Sequence, residues 1–140
     1  MPVTLLLATI FFLLLDQLTK RLIARRFAKG QAISLAPWIR IRHVAQTRAV
    51  FVLHNPYAML FVWGVLLASI ALIVQHGYFF QSQVAQLGLG MALGGACGNV
   101  CDQLRHGAVT DFVDLGWWPI FNSADVSITI GVSIALWFLR

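Results

Sequence analysis

Glutamate is missing from this 140-residue chain, and aspartate occurs only five times. Four of the five aspartates lie within residues 94–125, and the fifth is Asp16. The surrounding sequence is apolar, because 59% of all residues are hydrophobic. An ionisable side chain at membrane depth is costly and marks a functional site by default. The acidic residues therefore single out the region 94–125.

Charged residues of either sign are also scarce, at 11% of the chain. A soluble domain is about half apolar and about a quarter charged, so this composition excludes that class. We predict an all-α membrane protein in which one domain, residues 1–140, contains four transmembrane helices. The predicted spans are close to the length of about 20 residues that a bilayer requires; they are 3–22, 58–75, 84–104 and 122–139.

Cysteine is rare as well, and only Cys97 and Cys101 are present. They are four residues apart in an apolar helix, a poor arrangement for a disulfide, and no zinc-ligand pattern accompanies them. We interpret them as small core residues and predict no metal site. The net charge of +5 could indicate nucleic acid. The basic residues adjoin apolar spans, however, so we predict membrane lipids as partners and no nucleic acid.

Two connecting segments, 21–57 and 105–121, contain the glycines and prolines that end helices. In the first segment Ile39–Arg42 alternates apolar and basic side chains, which is the period of a strand, and 49–53 is a candidate partner. We predict a small surface β-sheet in this first long loop. The second segment is predicted to be a loop.

A chain that crosses a membrane four times has both long connections on the same side. Asp16, Asp111 and Asp125 are therefore predicted to share one membrane face. The segment between Asp111 and Asp125 contains Gly116 and Pro119, so it can fold back and bring the two carboxyls together. Two close carboxyls share a proton. One can then activate a water while the other donates to a substrate carbonyl, as in aspartic peptidases.

Two further patterns have both a structural and a functional interpretation. Asn122 and Asp125 have the spacing of an N-cap and the third residue of a helix, so Asp125 could serve as a capping residue. Asp16 and Lys20 have the spacing of a helical ion pair, which either neutralises a helix end or supports the site.

A stripe of glycines precedes the acidic region. Gly90, Gly94 and Gly98 recur every four residues, a pattern that lets membrane helices approach closely. We predict that this packing brings Asn99 and Asp102 to a tightly packed end of the bundle, where each needs a hydrogen-bond partner.

Four ordered motifs resemble those of the lipoprotein signal peptidase (signal peptidase II) family. The motif DQLTK at 16–20 matches DQxTK, and GGACGNVCD at 94–102 matches GGAxGNxxD. The motif GAVTDF at 107–112 matches GxVxDF, and FNSAD at 121–125 matches FNxAD. The resemblance extends over nearly the whole length of the chain.

The resemblance implies an aspartic endopeptidase that removes the signal peptide from prolipoproteins, cutting N-terminal to a diacylglyceryl-modified cysteine without a cofactor. It implies that Asp111 and Asp125 are the catalytic pair. It also implies a multi-pass protein of the bacterial cytoplasmic (inner) membrane with its active site toward the outer side. Residues implied to bind substrate or support the site are Asp16, Lys20, Gln46, Asn99, Asp102 and Asn122.

Two regions depart from the family pattern. Gln103 stands where the family has arginine, and the first-loop motif NTGAAF occurs as QTRAVF at 46–51. Both regions are associated with positioning substrate in the family, so we predict intact hydrolytic chemistry with altered affinity or substrate choice. A weakened or retargeted paralogue that binds lipidated proteins is therefore an alternative.

Two further predictions concern the orientation of the chain in the membrane and an alternative transport function. The family's orientation would place eight of the ten basic residues, from Lys20 to Arg48, in the outward loop, against the positive-inside rule. We favour the family's orientation because the motifs are more specific than a charge count. A small proton-coupled transporter is the other alternative, but the predicted second span contains no acid.

Overall fold

The computed structural model describes residues 3–46 and 82–138. These residues form three helices, which are α1 (Val3–Arg26), α2 (Gln83–His106) and α3 (Ser123–Trp137), and three strands, which are β1 (Ala32–Ala36), β2 (Ile39–Gln46) and β3 (Val109–Asp114). Three of the four predicted spans are therefore helical. The second predicted span, 58–75, and the candidate strand at 49–53 lie outside the described residues.

Within the described part of the chain, α1 and α2 are long and apolar enough to cross a membrane. Each has 24 residues and is about 36 Å long, compared with a hydrocarbon core of about 30 Å. Helix α3 has 15 residues and is correspondingly shorter. The count of four spans thus stays a prediction.

The helix ends follow from local sequence signals. The predicted end of the first span at residue 22 is wrong by four residues, because helix-forming residues continue to Arg26 and the first breaker is Gly30, with φ of 84°. Helix α2 is capped at its N-terminus by Ser82, whose side chain accepts a hydrogen bond from the Ala85 backbone N–H at 3.3 Å. It ends at Gly107, whose positive φ of 65° suits glycine.

Helix α2 packs between α1 and α3 through its glycines. A Cβ atom added at Gly90 would lie 2.6 Å from Ala8 Cβ, and one added at Gly94 would lie 2.6 Å from the Thr9 carbonyl oxygen. Gly95 approaches the Ala124 carbonyl oxygen of α3 equally closely. The predicted role of the glycine stripe in helix packing is confirmed.

The order of these contacts gives the helix directions. Gly90, Gly94 and Gly98 meet successively later residues of α1, so α1 and α2 run parallel and end at the same end of the bundle. Gly88 meets Ile134 and Gly95 meets Ala124, so α3 runs antiparallel to α2. A parallel pair of consecutive described helices is what a four-span topology requires, since the chain between them must cross back.

The sheet has the order β1-β2-β3, and both pairings are antiparallel. The strand predicted at Ile39–Arg42 is confirmed as part of β2. The prediction that the sheet is confined to the first long loop is wrong, because the second connection, predicted to be a loop, contains β3. β-branched Val109, Thr110 and Val113 are the local signal for β3. Asp111 of β3 pairs with Val44 of β2, and the Thr110 N–H of β3 donates to Asp102 of α2, which holds the sheet against the end of that helix.

The described residues have an inverted distribution of polarity. Large apolar side chains such as Phe11, Leu14 and Leu18 are exposed, whereas the largest fully buried side chains are those of Asn122 and Asp16. This is the distribution expected when the surrounding solvent is lipid. Cys97 is also exposed, so its interpretation as a core residue is wrong.

Gly98 offers a test of the helix packing. A Cβ atom at this position would fall on the carboxylate of Asp16. Alanine is favoured over glycine by about 1 kcal/mol in an isolated helix, but overpacking costs about 1–3 kcal/mol. We therefore expect Gly98→Ala to lower the melting temperature of the purified protein in detergent. Cys97→Ala, at the exposed neighbouring position, should leave it unchanged; an unchanged or higher value for Gly98→Ala would contradict the packing.

Candidate active site

Polar side chains fill the interior where the last turns of α1 and α2 meet β3 and the start of α3. Seven of the eight residues singled out by the sequence lie there and are buried or half-buried. The exception is Gln46, for which the structure describes only the backbone, paired with Val109. The residues brought together are Asp16, Lys20, Asn99, Asp102, Asp111, Asn122 and Asp125.

Asn122 joins the two predicted catalytic carboxyls and is fully buried. Its Nδ2 donates to Asp111 Oδ1 at 2.7 Å. Its backbone N–H donates to Asp125 Oδ2 at 3.2 Å, and its Oδ1 accepts from the Asp125 N–H at 3.0 Å. The capping box predicted from the spacing is confirmed. The cap of α3 and the pairing of the two carboxyls are therefore one arrangement, because the N-cap residue Asn122 is bonded to both Asp125 and Asp111.

Asn99 connects this pair to the rest of the cluster. Its Oδ1 accepts from Lys20 Nζ at 2.9 Å and from Asn122 Nδ2 at 3.1 Å. Two donors on Oδ1 determine the orientation of the amide, which directs Nδ2 toward Asp125 Oδ1 at 3.1 Å. Both oxygens of Asp125 therefore accept a hydrogen bond and the carboxyl is held in one orientation.

Lys20 lies between two carboxylates and is 4% exposed. Its Nζ is 2.7 Å from Asp16 Oδ2 and 3.1 Å from Asp102 Oδ2. The contact with Asp16 is an ion pair without an aligned hydrogen bond at Oδ2. The predicted pairing of Asp16 with Lys20 is confirmed, and Lys20 also links α1 to α2. Such a buried group is tolerated only when it is paired on all sides.

Asp16 holds the start of α3 from outside that helix. Its Oδ1 accepts from Ser123 Oγ at 2.8 Å and from the Ala124 N–H at 2.9 Å. The first N–H groups of a helix have no partner within the helix and carry a partial positive charge, so a carboxylate there is favourable. Asp16 thereby anchors the turn of α3 that contains Asp125.

Asp102 has the corresponding role for β3. Its Oδ2 accepts from the Thr110 N–H at 3.1 Å, and its Oδ1 accepts from Gln17 Nε2 at 3.0 Å. Sequence reasoning missed Gln17 and Ser123 as parts of the cluster, although both lie inside the motifs DQLTK and FNSAD. Their position within a motif was the only sequence feature that could have identified them, because glutamine and serine by themselves indicate no particular chemistry.

An open groove runs along α3 beside Asp125, with a volume of about 270 Å³. Asp111 is only 5% exposed, whereas Asp125 is half-buried and lines the groove. A molecule in the groove would therefore meet Asp125 first. The other lining residues are mainly apolar; they are Trp118, Phe121, Val126, Thr129 and Ile130.

Three polar residues near the cluster lie outside its hydrogen-bonded centre. Gln103 has a buried Oε1 with no hydrogen-bond partner among the described residues. Arg105 Nη1 donates to Gln17 Oε1 at 3.4 Å. Asp114, at the far end of β3, accepts from the Gly116 N–H at 2.8 Å and lies 3.7 Å from Arg40 Nε.

A polar interior at one end of an apolar helical bundle is typical of the class of membrane-embedded proteins with a functional site. Within it, the chain belongs to the signal peptidase II family, whose model matches residues 8–140. The resemblance seen in the four motifs is confirmed.

Curated relatives and solved structures agree with this assignment. The lipoprotein signal peptidase of Moorella thermoacetica is 35% identical over 136 residues, covering 96% of this chain and 91% of that protein. That of Gloeobacter violaceus is 37% identical over 135 residues, covering 93% and 78%. A bacterial membrane enzyme solved at 1.9 Å resolution by the in meso method has a TM-score of 0.75 and 29% identity, covering 97% of this chain and 92% of that one.

The central position of Lys20 can be tested by removing its charge. Lys20→Met leaves the carboxylates of Asp16 and Asp102 buried without a cation, and breaking such a pair costs about 3–5 kcal/mol. We expect a large loss of thermal stability in detergent. Arg21→Met, at the exposed adjacent position, should have little effect. The double variant Lys20→Met/Asp102→Asn should recover part of the loss; equal stability of Lys20→Met and the wild type would contradict the network.

Proposed function

We propose that this protein is an aspartic endopeptidase that removes the signal peptide from prolipoproteins, cutting N-terminal to a diacylglyceryl-modified cysteine. Membership of the signal peptidase II family and the names of the relatives support the substrate class. One structural observation carries the aspartic type. The carboxyl of Asp111 accepts from the side-chain Nδ2 of Asn122 and that of Asp125 accepts from the Asn122 backbone N–H, so two carboxyls flank one buried residue.

In the proposed reaction, a water between the two carboxyls attacks the scissile carbonyl carbon. One carboxylate takes a proton from the water, and the protonated carboxyl donates its proton to the carbonyl oxygen. The tetrahedral intermediate collapses when the C–N bond breaks: the carboxyl that took the proton from water gives it to the nitrogen of the leaving cysteine, and one hydroxyl of the intermediate returns its proton to the other carboxylate, which leaves a carboxylic acid product and restores the pair. The pair shares one proton throughout, as close carboxyls do.

The remaining polar residues are proposed to hold the pair in position. Asn99 and Asn122 orient the carboxyl of Asp125 through hydrogen bonds of 3.1 and 3.2 Å. Asp16 anchors the first turn of α3, and Lys20 links it to Asn99 and Asp102. Because these partners are buried and hydrogen-bonded, the carboxyls need little rearrangement when a substrate binds, which is favourable for catalysis.

The groove beside Asp125 is proposed to hold an apolar part of the substrate. Its lining by Trp118, Phe121 and Ile130 suits acyl chains or the apolar side chains of a signal peptide. A substrate anchored in the bilayer could enter along α3 without leaving the membrane.

The proposed location is the bacterial cytoplasmic membrane, with four spans and the site toward the outer side. The shared end of parallel helices α1 and α2 supports a site at one membrane face.

The departures from the family pattern at Gln103 and in the QTRAVF motif are proposed to change the affinity for substrate or the choice of substrate. Gln103 retains a free buried acceptor among the described residues, which favours a retargeted paralogue as the second candidate. Transport is disfavoured because the described acids lie at one end of the bundle.

The catalytic pair is tested by substituting each carboxyl. Asp111→Asn and Asp125→Asn should each lower cleavage of a diacylglyceryl-modified prolipoprotein, followed by gel shift, by at least about 100-fold. Asn at 111 can still accept from Asn122. Asn at 125 has one oxygen in place of two, so a capping loss of about 1 kcal/mol is expected, which is too little to unfold the protein.

Asp114→Asn is the matched control for this experiment. Its contacts are Gly116 and Arg40 at the far end of β3, so most activity should remain. Activity retained in Asp111→Asn and lost in Asp114→Asn would overturn the assignment. Full activity in Asp125→Asn would reduce that residue to a helix cap.

The groove is tested by filling it. Ile130→Trp places a large side chain in the groove and should raise KM with little change in kcat, because binding is weakened while the carboxyls are untouched. Val132→Trp is the control, since the two positions on α3 have similar exposures of 45% and 42% and Val132 does not line the groove. Equal KM values for both variants would exclude substrate from the groove.

A further inference from the structure

Residues 21–46 contain six cations and no acidic residue. All six side chains are exposed. Arg40 has a carboxylate nearby, Asp114 at 3.7 Å. The other five have no ion-pair partner among the described residues; they are Arg21, Arg25, Arg26, Lys29 and Arg42. This excess of positive charge has no function in the candidate active site.

Three contacts join the turn after α1, which follows Arg25 and Arg26 and contains Lys29, to the part of β2 that contains Arg42. The Gly30 N–H donates to the His43 carbonyl at 2.8 Å, and the His43 N–H donates to the Gln31 carbonyl at 3.1 Å. The His43 ring Nδ1 lies 2.8 Å from the Phe27 carbonyl oxygen. The turn after α1 is therefore attached to β2 next to Arg42. We call Arg25, Arg26, Lys29 and Arg42 the cationic cluster.

An exposed apolar stripe of α1 leads to this cluster. Phe11, Leu14, Leu18 and Leu22 are 60%, 62%, 57% and 46% exposed. Their spacing of three or four residues places them on one helix face, and the same spacing continues to Arg25 and Arg26. An apolar stripe that ends in cations matches the chemistry of a phospholipid, which has acyl chains below a charged headgroup.

We propose that the cationic cluster and the apolar stripe of α1 form a binding site for an anionic phospholipid. The headgroup phosphate lies among Arg25, Arg26, Lys29 and Arg42, and the acyl chains follow the stripe. Arginine suits this role because its planar guanidinium can donate two parallel hydrogen bonds to a phosphate. Basic residues next to a membrane span attract anionic headgroups in the same way. The site does not depend on the proposed peptidase function.

Native mass spectrometry of the full-length protein in detergent tests this site without measuring cleavage. Phosphatidylglycerol and phosphatidylcholine with identical acyl chains are titrated in parallel. The wild type should bind phosphatidylglycerol about tenfold more tightly. Arg25→Gln/Arg42→Gln should remove most of that preference and leave phosphatidylcholine binding unchanged. Thermal unfolding of each variant checks that it is folded.

Arg40→Gln/Arg105→Gln is the matched control, because it removes the same charge from two described residues outside the cluster and should keep the preference. An equal loss in both double variants would show diffuse attraction and overturn the site. Equal affinity of the wild type for the two lipids would overturn it as well. Displacement of the bound lipid by millimolar inorganic phosphate would show that the site takes a free anion, which contradicts the role of the stripe.

Discussion

The described structure depends on the ion pairs of the buried Lys20 ammonium group with two carboxylates. The ammonium group contacts Asp16 in its own helix and Asp102 and Asn99 in α2. Through Asp16 it is linked to the start of α3, and through Asp102 to β3. Two buried carboxylates would be strongly destabilising without a cation. One charge therefore holds together every described element that contributes to the candidate site.

The glycines of α2 are the steric counterpart of this charge. Asp16 and Lys20 can reach α2 only because the helices approach closely at Gly94 and Gly98. A side chain at Gly98 would occupy the space of the Asp16 carboxylate. Close packing and electrostatics thus support each other, because the short distance strengthens an ion pair in a medium of low dielectric constant.

The same local feature serves both stability and the proposed chemistry at the start of α3. Asn122 and Asp125 satisfy N–H groups that every helix start leaves open, and they are also the residues that meet Asp111 and the groove. The capping interpretation and the functional interpretation of Asp125 are therefore compatible. A carboxyl used as a cap is already desolvated, oriented and close to a positive helix end.

Short-range patterns in the sequence by themselves determined the apolar helices, the capping box, the ion pair of Asp16 with Lys20 and the glycine stripe. Each depends on residues at most a few positions apart in a regular helix. Only the tertiary structure decided that Asp16 holds Ala124, 108 positions away, that β3 joins the sheet, and that His43 of β2 contacts Phe27 just after α1. Their partners are distant in the chain, and no local periodicity identifies which distant groups will meet when the helices pack.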